Sequence, residues 1–312
     1  MTTKARSLTT QQEHDIDLMR AAVERDLALW WHQNARDLPW RFGRTSPWGV
    51  LVSEVMSQQT QMSRVVGYWE AWMNKWPDAT ALAKAPTAEV IAAWGRLGYP
   101  RRALRLQECA GVVSEQYHDQ LPHDYESLVA LPGIGDYTAS AVMSFAFGER
   151  VAVIDTNIRR VLGRAFLGVE SLGGSTSPVE RTLAWRVLPE AAAQSVVWNQ
   201  GVMELGALVC TAKQPGCDSC PLRSMCVFLA AGRPGLGERR TRPRQRFQGT
   251  NRQVRGIILQ SLRDLPDGQS VVTYDKLREL WPDRAQLDLC IDSLEHDGLV
   301  EIVDGHAVRL PQ

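Results

Sequence analysis

Four cysteines stand close together near two thirds of the way along the chain. Cys210, Cys217, Cys220 and Cys226 have the spacing C-x6-C-x2-C-x5-C, all within 17 residues. In a cytoplasmic chain disulfides are disfavoured, so metal ligation is the leading reading of such a knot. A structural zinc site more often uses two C-x2-C pairs far apart. One compact knot with a single C-x2-C better suits a cubane iron–sulfur cluster. The other two cysteines, Cys109 and Cys290, lie in apolar helical contexts and read as core thiols.

A second pattern is Leu131-Pro132-Gly133-Ile134-Gly135. Two glycines permit close backbone approach, and a helix beginning just after them presents free amide donors. A phosphate can sit there without a basic side chain; an ordinary helix–helix turn is the competing reading. Two carboxylates also lie in apolar settings. Glu54 falls within Leu51-Val52-Ser53-Glu54-Val55-Met56, and Asp155 follows Val151-Ala152-Val153-Ile154. An apolar pocket raises a carboxyl's pKa and suits it to general-acid work, while a second, ionised carboxylate can stabilise a sugar cation. For either residue alone, a helix cap or a buried ion pair is the commoner occupation.

The elements that must position these groups are mostly helical. Residues 15–33 carry Leu18, Ala21, Ala22, Leu27, Leu29 and Trp30 at helical spacing. Pro47 can open a helix holding Trp48, Val50, Leu51, Val55 and Met56. Pro86 starts another that runs through Val90, Ile91 and Trp94 to a stop at Gly98, and Pro100 opens one with Leu104, Cys109 and Val112. No alternating Val/Ile stretch argues for a sheet before residue 231, so this body reads as all-α. In the tail, residues 253–263 and 274–297 look helical, and 298–310 looks like a hairpin turning at Asp304-Gly305. Helices followed by a small hairpin suggest a winged-helix module.

The 312 residues carry 35 basic and 35 acidic side chains, a formal charge of zero. The zero conceals three parts: net −1 over 1–231, net +6 over the Gly/Pro/Arg-rich residues 232–252, and net −5 over 253–312. The middle segment cannot bury a core and reads as a basic linker. Phosphate attraction dominates nucleic-acid binding, so the acidic tail is expected to contribute little grip, and its removal to leave DNA affinity unchanged or slightly stronger. Hydrophobic content of 44% and charged content of 22% are ordinary for a globular chain. No apolar run approaches the ~20 residues of a membrane helix, and the N-terminus has no signal-peptide stretch. The expectation is a cytoplasmic protein, nucleoid-associated if it binds DNA, with no membrane partner.

Taken together, these residues spell a known pattern. The chain resembles the helix–hairpin–helix DNA glycosylases with a C-terminal iron–sulfur loop, and within them the MutY-type adenine glycosylases. The matching stretches are Leu38-Pro39-Trp40-Arg41, Ser53 to Gln61, Gly95-Arg96-Leu97-Gly98-Tyr99, Leu131 to Gly135, Ile154-Asp155-Thr156-Asn157, and Asn199-Gln200 leading into Leu205-Gly206-Ala207 and the four cysteines. They fall in order over residues 38–226, which is far more specific than any one of them.

The resemblance implies a two-lobed all-α fold, with a six-helix barrel bearing the hairpin and an iron–sulfur lobe, followed here by the winged-helix-like α+β module. The corresponding divisions are an N-terminal helix over 1–34 packing with the iron–sulfur lobe, the barrel over 35–150, the iron–sulfur lobe over 151–231, the linker over 232–252 and the small module over 253–312. The cysteines would hold a [4Fe-4S] cluster. Matched by motif, Glu54 protonates the adenine and Asp155 faces the sugar. Arg41 and Gln200 fall where the family contacts the flipped adenine, and Gln59, Thr60 and Tyr99 where it wedges the duplex and meets the opposite base. Trp40, Gln58 and Asn157, in the same matched stretches, join the DNA-binding set together with the hairpin glycines Gly133 and Gly135.

One position separates two chemistries within the resemblance. Endonuclease III-type relatives carry a Lys two residues past the second hairpin glycine, and its amine cuts the backbone. Here that residue is Tyr137, and a phenol cannot form a Schiff base. The implied activity is therefore that of a monofunctional, monomeric glycosylase acting on double-stranded DNA, removing adenine mispaired with 8-oxoguanine or guanine. The runner-up readings are a glycosylase for another mispaired base, such as thymine opposite guanine, and a non-catalytic iron–sulfur DNA-binding regulator. The chain departs from the family at Ser57, where Leu is usual. It departs again in its tail of about 60 residues, too short for the NUDIX-like domain of the long form; the short acidic tail is similar to that of actinobacterial members.

Overall fold

Punctuation residues set most element boundaries in the computed structural model, which describes residues 7–170, 174–238, 247–266 and 268–312. Of the basic segment, residues 239–246 lie outside the described residues. Thr9 opens α1 (Thr10–Asn34) with a reciprocal capping box to Gln12. Pro47 opens α2 (Pro47–Ser57) as its sequence position implies. Then follow α3 (Met62–Lys75), α4 (Ala79–Ala83), α5 (Thr87–Trp94), α6 (Arg101–Tyr117), α7 (Tyr125–Ala130) and α8 (Asp136–Phe145). Next come α9 (Thr156–Leu167), α10 (Pro178–Val187), α11 (Ala192–Leu208) and the single turn α12 (Val227–Ala230). The tail holds α13 (Asn251–Arg263), β1 (Val271–Thr273), α14 (Tyr274–Leu280), α15 (Arg284–His296), β2 (Glu301–Val303) and β3 (Ala307–Arg309).

Three local expectations need correction. Helix α1 buries Ile16, Val23, Leu27 and Trp31, leaving Leu18 and Leu29 exposed. Apolar residues lie around much of its circumference, and only its neighbours select the buried stripe. Helix α5 stops at Trp94 rather than running to Gly98, because Gly95 takes φ +52° and a Cβ there would fall 2.6 Å from the Tyr68 ring. The expected helix over 274–297 is broken in two. Pro282 pushes Trp281 into extended backbone (φ −143°, ψ 108°), and Asp283 then caps α15.

The described chain divides into two compact units. The first comprises described residues of 1–50, 123–129 and 135–241. Its core packs α1, α9, α10 and α11 through Leu27, Val161, Phe166, Leu183, Trp198 and Leu205. The second comprises residues of 51–122, 130–134 and 242–312. In it Trp72 meets Trp76 and Trp94 edge-on, at ring distances of 4.7 and 5.5 Å.

The tail module is built as helix–strand–helix–helix–strand–strand, the winged-helix order. Its sheet runs β1-β3-β2, antiparallel throughout, with Val272 and Ile302 both opposite Val308. Strand β1 was not expected; three residues are too few to display alternation. The hairpin turns where the sequence places it, with Asp304 and Gly305 both at positive φ and His306 N–H bonded to Val303 O. The module is not a separate bead. Ile91 of α5 is buried within its core beside Val254, Ile258 and Leu262, and Arg263 donates to the Ile91 carbonyl at 3.1 Å.

Candidate functional site

Helix α9 carries three buried arginines, two of which, Arg160 and Arg164, hold the cysteine loop. Arg159, Arg160 and Arg164 are all buried, although each carries a full charge. Arg159 pairs with Glu180 at 2.9 Å. Arg160 donates to the carbonyls of Gly206 and Cys210 at 2.7 and 2.8 Å. Arg164 donates to the Cys210 Sγ at 3.4 Å and to the carbonyls of Thr211 and Ala212, with Glu170 as its ion partner. Cys210, Cys217, Cys220 and Cys226 line one cavity together with Arg164 and Phe228. Burial pushes the Cys220 thiol up to about 11 and raises Cys226 as well.

This cavity suits a cubane. The four cysteines border one shared space, as thiolates that each hold a different corner of a cluster must. Thiolates gathered around a cluster also leave net negative charge, which the guanidiniums of Arg160 and Arg164 oppose from inside the fold.

Asp155 is built into the same unit. It is the N-cap of α9; its Oδ1 accepts the Ile158 N–H at 2.6 Å and its Oδ2 accepts from Asn157 Nδ2 at 2.9 Å. The commoner occupation of such a residue, a helix cap, is therefore present, and the remaining question is what else the carboxylate does. Burial pushes its carboxyl above the ordinary range, against the hydrogen bonds and the nearby Arg160, which pull it down. Asn157 links the two features, since its Oδ1 accepts from Arg160 Nη2 at 2.7 Å. Asn199, buried on α11, holds the approach to Asp155: its Nδ2 donates to the Val151 carbonyl at 2.8 Å and to Ser144 Oγ. Gly206 is required beside Asn157, because a Cβ would lie 2.7 Å from the Asn157 Cβ.

On the same helix, one turn after Gln200, lies Glu204, whose side chain is fully buried. It takes bidentate hydrogen bonds from Arg36 (2.7 and 2.7 Å) and from Arg41 (3.2 and 2.9 Å). Burial pushes the Glu204 carboxyl up, but the two guanidiniums outweigh it and hold it at about 2. Arg41 is thus committed to Glu204 and to the Trp31 ring, 4.9 Å from its Cζ, and Trp40 beside it is buried. Gln200 is half-buried and its amide makes no hydrogen bond among the described residues. Tyr137, on the first turn of α8, packs half-buried against the core of this unit.

The second unit carries the other motif residues. Glu54 is buried on α2 among Leu51, Val52, Val55 and Met56. Beyond α2, Gln58, Gln59 and Thr60 form a turn in which Gln59 takes φ +56°. Arg102 fastens this turn to the Tyr99 loop. Its Nη1 donates to the carbonyls of Val55 and Met56 at 2.6 and 3.2 Å, and its Nη2 to Thr60 Oγ1, Leu97 O and Gly98 O. Burial brings this guanidinium down to about 10. Tyr99 itself is 48% exposed at φ +49°, an unusual conformation for a bulky residue. Gly133 takes φ +77° and could bear no Cβ, which would lie 2.9 Å from the Arg105 Cβ. Gly135, by contrast, has φ −110° and open space where a Cβ would be.

Within the first unit, then, the fold gathers Asp155, Asn157 and the four cysteines; within the second it gathers Gln58–Thr60 with Tyr99. Sequence reasoning missed Arg36, Arg102, Arg160, Arg164 and Glu204. The signal available was charge among apolar neighbours, as in Ile158-Arg159-Arg160-Val161-Leu162-Gly163-Arg164, where arginines occupy turns that also carry core residues.

Comparison with known proteins agrees with this geometry. The HhH-GPD superfamily of base excision DNA repair proteins matches residues 52–187. An adenine DNA glycosylase of Mycolicibacterium smegmatis is 48% identical over 278 residues, covering 88% of this chain and 92% of that protein. A thermostable thymine-DNA glycosylase structure aligns at TM-score 0.62 with 26% identity, over 69% of this chain and 98% of that one. The fold is also that of a trapped endonuclease III–DNA covalent intermediate, at TM-score 0.59 and 22% identity over 72% and 99% of the two chains. Among the described residues no helix is long and apolar enough to cross a membrane.

Proposed function

We propose, because the chain belongs to the adenine DNA glycosylase family within the HhH-GPD base excision repair proteins, that it hydrolyses the glycosidic bond of adenine mispaired with 8-oxoguanine or guanine. It is a DNA glycosylase; the mispair and the division of labour among its residues are our reading. The observation that carries this reading is a carboxylate on each of two matched motifs, Glu54 buried on α2 and Asp155 at the α9 N-cap.

When the bond breaks, its electron pair leaves with the base, so adenine departs best after gaining a proton. Glu54 supplies that proton. Positive charge then develops on the sugar, and Asp155 supplies the opposing anion until water adds a hydroxyl at the same carbon, its other proton restoring the Glu54 carboxyl. Asn157, the Ile158 amide and Arg160 support this role, because they oppose the rise that burial imposes on Asp155 and favour its ionised form. Gln200, whose amide is uncommitted, contacts the flipped adenine. Arg41 shapes the same region through Glu204 rather than as a free cation. Tyr137 offers no amine, which supports base release without strand cleavage. Cys210, Cys217, Cys220 and Cys226 would hold the [4Fe-4S] cluster, which when bound supplies a rigid tether for the loop that Arg160 and Arg164 brace.

A panel of duplexes with one mispair each, followed by alkali to reveal abasic sites, tests the reading. Adenine opposite 8-oxoguanine or guanine should yield strand breaks only after alkali. Release of thymine opposite guanine instead would establish the runner-up substrate. Breaks without alkali would overturn the monofunctional reading, and no release from any duplex would leave a DNA-binding regulator.

A further inference from the structure

The acidity of the tail module is unevenly placed. Its helix α13 and the loop from Gly95 to Arg102 enclose a cleft of about 1060 Å³ within the second unit. Seven arginines line that cleft, and Asp297 is the sole carboxylate among its lining residues. Arg101 and Arg255 share Asp297, at 3.2 and 2.6 Å. The other five have no carboxylate partner among the described residues. Asp288, Asp292 and Glu295 cluster around Tyr274, a residue outside the cleft.

Two exposed aromatic rings edge the same space, Tyr99 at 48% and Phe247 at 58%. The guanidiniums of Arg102 and Arg252 each stand 5.7 Å from the Tyr99 ring centre. Arg102 is spent on backbone carbonyls, whereas Arg252 is exposed and, among the described residues, its one interaction is this ring. A cleft at the upper end of the ~300–1,000 Å³ range of small-ligand pockets, with five lining arginines that lack a carboxylate partner among the described residues and with rings at its edge, suits a charged polymer with flat units.

We propose that this cleft binds one DNA strand, the arginines taking its phosphodiester backbone and Tyr99 and Phe247 stacking on an unpaired base. The net-acidic tail module is then a DNA-binding element, contrary to the expectation from its summed charge. Phosphates respond to the charges within a Debye length of them, ~8–10 Å, and not to the module's total. Deleting residues 253–312 is also no clean test, because it would strip Ile91 of its core.

This inference rests on the reading of the chain as a DNA glycosylase, and point variants of the full-length protein separate the two. Arg252→Ala should weaken binding to a mispaired duplex ~5- to 10-fold and lower the slope of log affinity against log salt by ~0.9. Phe247→Ala should weaken it ~5-fold or more through lost stacking, with the slope unchanged. Asp288→Asn, an exposed change on the acidic side, should leave affinity as in the wild type. Base release under saturating enzyme should persist in Asp288→Asn, which lies outside the cleft. If Asp288→Asn strengthens binding as much as Arg252→Ala weakens it, summed charge governs and the cleft is no site. If Arg252→Ala and Phe247→Ala both bind as the wild type does, the inference fails while the glycosylase reading stands. A wild type that releases no base from any duplex would instead sink the glycosylase reading.

Discussion

Replacing Asp155 with asparagine separates its two occupations. As a cap, Asn is nearly the equal of Asp, and its Oδ1 can keep the 2.6 Å bond from Ile158 N–H. At the other atom an NH2 would meet Asn157 Nδ2, two donors face to face, losing a hydrogen bond of ~1 kcal/mol. Against that loss, the substitution removes a charge whose burial outweighs its hydrogen bonds. A carboxyl with a raised folded pKa lends stability below its unfolded pKa of 3.8, and that contribution disappears as pH rises through the folded value. At pH 7 the ionised form is therefore a cost that Asn does not carry. The two changes offset, and Asp155→Asn should fold within ~1 kcal/mol of the wild type.

Its chemistry should not survive. Loss of one electrostatic contact to the developing sugar cation costs ~3 kcal/mol, a fall of at least ~100-fold in single-turnover base release. Asp155→Ala should be equally slow but also ~1 kcal/mol less stable, having lost the cap. The assay is single-turnover release with saturating enzyme, paired with thermal melts and binding to the same duplex. Because the ionised form is required and burial raises the pKa, wild-type release should fade on acidification at a higher pH than an ordinary aspartate would dictate. Asp155→Asn releasing adenine within ~10-fold of the wild type would refute the reasoning and leave Asp155 as a cap alone.

Cys217→Ser should lose the yellow-brown colour, iron and sulfide expected of the cluster, while stoichiometric zinc in protein purified without air would defeat the iron–sulfur assignment. Glu204→Gln leaves two guanidiniums facing a neutral amide and should cost about 3 kcal/mol, the low end for a broken buried ion pair because Arg36 is one third exposed. With its folded pKa held at about 2, Glu204 gives stability that is present above pH 4.5 and lost as pH falls toward 2; the variant's melting temperature should lack that acid limb. Gly135→Ala should melt as the wild type does, since nothing lies within 4 Å of the added Cβ, yet weaken duplex binding if the hairpin backbone approaches phosphate. Gly133→Ala, at φ +77° against Arg105, should lose stability by ~1–3 kcal/mol as well, which calorimetry would register.

What the sequence determined by itself is local and covalent. The cysteine quartet, the Gly133–Gly135 turn, the cap at Asp155 and the Asp304-Gly305 hairpin are legible because each depends on residues a few positions apart. Helical content follows from periodicity for the same reason. Tertiary structure alone decided which stripe of α1 is buried, that Arg36 and Arg41 converge on Glu204 from 163 to 168 residues away, and that α9 braces the cysteine loop through Arg160 and Arg164. It also decided that the tail docks its core around Ile91 and turns an arginine-rich face to a cleft, where summed charge had implied an acidic object. Spacing along the chain reports what a residue can do with its neighbours. Burial and charge pairing depend on which distant segments share a core, and that is settled only when the helices pack.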